Sequence, residues 1–69
     1  MRPEVLRSQL EDIITTIGIS VRTNDRELYK YYRKLYSSSL SYLKRHGVRL
    51  TDEQAKKLEE ADQKYGVKT

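Results

Sequence analysis

Glycine occurs three times in this chain, and each time a β-branched apolar residue follows: Gly18-Ile19, Gly47-Val48 and Gly66-Val67. A helix often ends where Gly takes the left-handed conformation and the next residue packs back onto the last turn. The partner expected for that contact lies four residues before the Gly. It is Ile14 for the first pair and Leu43 for the second. For the third it is Asp62, so Ala61 takes its place. Three stops predict three helices.

The starts agree. Pro3 suits a first helical position, and Glu4 complements the positive helix end. Thr23, Asn24 and Asp25 are adjacent N-cap candidates. Thr51 with Gln54 forms a capping box, with Leu50 before it as a staple. These signals predict helices over about 3–17, 25–46 and 52–65. The first shows Leu6, Leu10, Ile13, Ile14 and Ile17 on one face. The third shows a narrower stripe of Ala55, Leu58, Ala61 and Tyr65. Its other faces hold Asp52–Lys56, Glu53–Lys57 and Glu60–Lys64, acid before base at the favourable spacing. In the second helix, Leu28, Tyr31, Tyr32, Leu35, Ser39, Tyr42 and Leu43 cluster in one direction, and Tyr29, Tyr36 and Leu40 widen that surface to roughly half the helix. So wide an apolar arc suits a helix with two neighbours. The expected fold is therefore all-α: a small three-helix bundle forming one domain over 1–69, with the long central helix packed on both others. Ser37-Ser38-Ser39 is the one weak stretch inside that helix.

Composition narrows the function. A chain of 69 residues makes a thin core, for which a disulfide, a metal or a partner often compensates. There is no Cys and a single His, so disulfides and Cys- or His-based metal sites are excluded, and no cofactor is expected. No apolar run approaches the roughly 20 residues of a membrane span. The N-terminus lacks a basic segment followed by an apolar one, so a cytoplasmic protein is expected. His46 has no nucleophile or second base to work with, and its place in a last helical turn is explained by the helix dipole. Glu59, Glu60 and Asp62 spread around their helix among lysines and form no evident site. A non-catalytic protein is expected, with no catalytic and no metal-binding residue.

Charge points to partners. The net charge of +4 is the balance of −1 over residues 1–21, +6 over 22–49 and −1 over 50–69. Arg26, Lys30, Arg33, Ser37, Ser41 and Lys44 share a face of the second helix, bordered by Lys34 and Arg45 and flanked in the chain by Arg22 and Arg49. Cations interleaved with small hydroxyls suit a phosphate backbone, contacted without base specificity. The bland alternative is an ordinary solvated face, which would more often mix signs. Six Tyr stand with no Phe or Trp, five of them between positions 29 and 42. Tyr31, Tyr32 and Tyr42 are expected in the core. Tyr29, Tyr36 and Leu40, beside Arg33, are expected to form a protein interface, since Tyr next to Arg is common where binding energy concentrates. A helix-turn-helix reader fits poorly, because the third helix is net acidic and the 18–24 connection looks long. The expectation is a small accessory subunit that docks on a larger protein in a nucleic-acid-processing complex. Direct DNA or RNA backbone binding, or a pure adaptor or homo-oligomer, are the alternatives.

Overall fold

The computed structural model describes residues 3–66. Three helices follow one another: α1 (Pro3–Arg22), α2 (Arg26–Arg45) and α3 (Asp52–Tyr65). No strand is present among the described residues. The fold is the expected all-α three-helix bundle, but its centre is different. α1, not α2, packs on both other helices, while α2 and α3 barely meet.

The first cause is the length of α1. Gly18 lies inside the helix, which runs on to Arg22. The continuation is favoured because Ser20 and Val21 extend the stripe of Leu10, Ile14 and Ile17. Leu6, Leu10, Ile14, Ile17 and Ser20 are all buried, at 2% exposure or less. The Ser20 hydroxyl donates to the Ile17 carbonyl at 2.6 Å, so burial leaves no orphan there. Ile19 does not fold back onto Ile14. It is carried to the outer side of α1, where it is exposed. Twenty helical residues give α1 enough apolar face for two neighbours.

The stop falls at Asn24, whose φ of 56° is left-handed. Asn tolerates that conformation better than most residues. Asp25 N donates to Ser20 O at 2.9 Å and Asn24 N to Val21 O at 3.4 Å, the paired bonds of a Schellman ending. α3 reinforces it. Lys64 Nζ donates to Val21 O at 2.9 Å and also bonds Asn24 Oδ1, while Tyr65 OH donates to Ser20 O at 3.1 Å. The α1–α2 connection is thus a tight turn over residues 23–25. The long connection expected over 18–24 does not exist.

α2 starts on Asp25, whose carboxylate accepts from Leu28 N at 3.1 Å. It passes through Ser37–Ser39 without a break. It ends as the sequence predicts. Gly47 takes φ 73°, Val48 N donates to Leu43 O at 2.9 Å, and Gly47 N donates to Lys44 O at 3.1 Å. Val48 and Leu43 are both buried, which completes the apolar half of the motif.

α3 opens with the expected capping box. Gln54 N donates to Thr51 Oγ1 at 3.1 Å, and Thr51 N donates to Gln54 Oε1 at 3.0 Å. Leu58 and Ala61 are buried, and Ala55 is exposed. Ala61, fully buried, lets α3 lie close on α1. The three acid-before-base pairs foreseen on α3 do not close: among the described residues the ion pair is Arg33–Asp62. Lys64 has turned to the end of α1 instead. At its C-terminus Gly66 has φ 5°, outside the left-handed region. The Val67 contact predicted for this stop lies outside the described residues.

Candidate functional site

The faces of α2 decide what the molecule can present to a partner. At 100° per residue, positions 29, 36 and 43 drift by only about 20° per step. They form the inner line of α2, with Tyr29 3%, Tyr36 8% and Leu43 4% exposed. Tyr32 and Leu40 pack half-buried beside them. The core-facing direction is therefore rotated by about 80° from the cluster of Leu28, Tyr31, Tyr32, Leu35, Ser39, Tyr42 and Leu43.

This corrects the expected protein interface. Tyr29 and Tyr36 are core residues, and Leu40 is half-buried against the core. Arg33 is engaged inside the fold. Its Nε donates to Asp62 Oδ1 at 2.9 Å, its Nη2 to Oδ2 at 3.2 Å, and its Nη1 to Ser37 Oγ at 2.9 Å. Its guanidinium carbon lies 5.3 Å from the centre of the Tyr36 ring. Tyr29 OH donates to the same Asp62 Oδ1 at 2.7 Å, and its ring meets Tyr65 at 5.0 Å. Together Tyr29, Arg33 and Asp62 form a polar latch that ties α2 to α3. Burial, and then the hydrogen bond to Asp62, push the Tyr29 phenol up to about 12. The Asp62 carboxylate holds the Arg33 guanidinium more firmly protonated than usual.

Of the three tyrosines read as core, Tyr32 packs half-buried against it, whereas Tyr31 and Tyr42 lie outside. Tyr31 is 62% exposed, Tyr42 39% and Leu35 37%. At i, i+4 and i+11 these three share one outer stripe of α2. Tyr31 stands edge-on to Tyr32 at 5.2 Å, and Tyr42 stands edge-on to His46 at 4.6 Å, so both rings are braced in place. Spacing alone could not have found the rotation, since Leu28, Leu35 and Tyr42 repeat at seven residues just as Tyr29, Tyr36 and Leu43 do.

Arg26, Lys30, Lys34, Lys44 and Arg45 are exposed along α2, with the exposed Ser37 and Ser41 among them. From Arg26 to Arg45 the face runs about 28 Å. Glu27 borders it at the first turn. Arg22, at the end of α1, and Arg49, before α3, are exposed at either side. Arg33 is the exception, withdrawn by Asp62. Among the described residues, none of the remaining α2 cations sits in an ion pair.

The described residues hold no group of three or more His, Cys, Asp or Glu placed to share a metal ion. No helix of the structure is long and apolar enough to cross a membrane. Comparison with protein-family models, with curated proteins and with solved structures finds no match in any of the three.

Proposed function

We propose that this protein is a non-catalytic binding module, an accessory subunit that docks on a larger protein in a nucleic-acid-processing complex through α2. One observation carries the reading. The outer half of α2 displays an apolar stripe of Tyr31, Leu35 and Tyr42 next to a cationic face without ion-pair partners. Exposed aromatic residues braced by neighbours lose little freedom on docking, and Tyr is enriched where interfaces concentrate their energy. The adjoining lysines and arginines then lie where a phosphate backbone passing the complex would meet them. The docking surface is therefore Tyr31, Leu35 and Tyr42, in place of the buried Tyr29 and Tyr36.

The test is affinity capture from native lysate with and without nuclease, using the wild type and Leu35→Glu. The reading expects one larger protein that survives nuclease and is lost with Leu35→Glu while the helical content stays unchanged. A partner retained by Leu35→Glu would sink it.

The unpaired cations also favour a second reading, direct binding of DNA or RNA backbone by α2 alone. In that case recovery vanishes with nuclease, and purified protein binds nucleic acid with a steep salt dependence that Lys30→Glu weakens. Base reading through α3 is disfavoured, since α3 carries five acidic residues against three lysines.

A further inference from the structure

α1 rather than α2 holds the bundle together, and α2 and α3, which barely meet, are tied by the Tyr29–Arg33–Asp62 latch. Away from that latch, between α1, the C-terminal half of α2 and the α2–α3 connection, lies a cleft of about 460 Å³. Leu10 of α1 forms part of the lining, with Leu40 of α2 and with Val48 and Leu50 of the connection. Lys44 and Arg49 also line it, and no acidic residue does. The volume lies within the range of ordinary small-ligand sites, and so does the pattern of an apolar lining with a few charged groups.

We propose that this cleft binds a small apolar carboxylate, an aliphatic chain seated between Leu10, Leu40, Val48 and Leu50 with its carboxylate held by Lys44 and Arg49. The charge argument selects the anion. Neither cation has an ion-pair partner among the described residues, so each has its full donor capacity available. The end of α2 would ordinarily repel an anion. Here Leu43 O and Lys44 O are already occupied by Val48 N and Gly47 N, which reduces that repulsion. Glu11 lies with Arg7 in the adjoining hollow that Arg49 also borders. The apolar lining selects the chain, because Leu40 and Leu50 are only half-buried and further burial of them is favourable.

The experiment is a titration of the full-length protein with decanoate, decanol and decylamine, followed by amide-resolved NMR. Decanoate is expected to shift the amides of Leu10, Leu40 and Val48, with decanol about tenfold weaker and decylamine weaker still. The double variant Lys44→Ala/Arg49→Ala changes two exposed side chains, so the fold is expected to survive, as circular dichroism will check. It should lose about tenfold in decanoate affinity and none in decanol affinity. Equal affinity for decanoate and decanol would overturn the proposal. So would shifts centred on Tyr31, Leu35 and Tyr42, or no shifts at all. Unchanged decanoate affinity in the double variant would leave an apolar cleft without the proposed carboxylate site, and would likewise overturn it.

Discussion

Gly18 and Gly47 precede similar residues, yet Gly18→Ala and Gly47→Ala should change stability in opposite directions. Gly18 is an interior residue of α1 with no left-handed backbone to support. A Cβ built there meets only Lys57 Cδ, at 3.9 Å, which is ordinary contact with the flexible stem of an exposed lysine. Nothing therefore opposes the gain in helix propensity, about 0.8–1 kcal/mol for Gly to Ala. With an urea dependence of about 1 kcal/mol per molar for so small a protein, the midpoint should rise by nearly 1 M. The melting temperature should rise by about 4–8 °C. Gly47 has open space around a Cβ, but its φ is 73°. An L-residue there costs about 1–2 kcal/mol, so Gly47→Ala should lower the midpoint by at least as much as Gly18→Ala raises it. Urea unfolding followed by far-UV circular dichroism measures both. A loss of stability in Gly18→Ala would refute the reasoning, because it would mean that α1 stops at Gly18 with that residue in a left-handed cap.

The rotation of α2 makes two further predictions. Tyr36→Ala removes a buried ring and should cost about 3–5 kcal/mol, whereas Tyr31→Ala should stay within about 0.5 kcal/mol of the wild type; unfolding midpoints compare them, and equal losses would refute the rotation. Tyr29 should ionise at about 12 rather than at the ordinary phenol value of about 10. A phenol raised in the folded state stabilises the protein fully below about pH 10, and that contribution is lost as pH rises through about 12. Tyrosinate absorbance and unfolding midpoints across that window check this. Asp62→Asn should move the Tyr29 titration part of the way back, since burial remains the larger cause.

The number of helices and the ends at Gly47 and Thr51 were legible because each depends on residues within one turn of another. Leu43 with Val48 and Thr51 with Gln54 are contacts that spacing alone reveals. The end of α1 was misread because Gly and Asn compete for the left-handed position. The winner was decided by Ser20, Val21 and the distant Lys64 and Tyr65, not by the local residues. The inner face of α2 was misread because apolar count, on which the arc was judged, treats Tyr31 and Tyr29 alike. What separates them is a carboxylate 33 residues away from Tyr29, to which its hydroxyl donates. A buried Tyr needs such a partner, and no pattern within one helix can show it. Arg33 is the same case, since its sequence neighbours make it look like part of a free cationic row.

The clasp of Lys64 and Tyr65 on the end of α1 bears on how the molecule assembles and breathes. α1 and α2 are joined by a tight turn and can pair as a local hairpin at little loop-closure cost. α3 must instead reach back over the whole of α2 to bond Ser20 and Val21, contacts separated by 43–45 positions in the chain. α3 is thus expected to dock last and detach first, as a separable element whose amides should exchange through a partial opening while the α1–α2 pair stays closed.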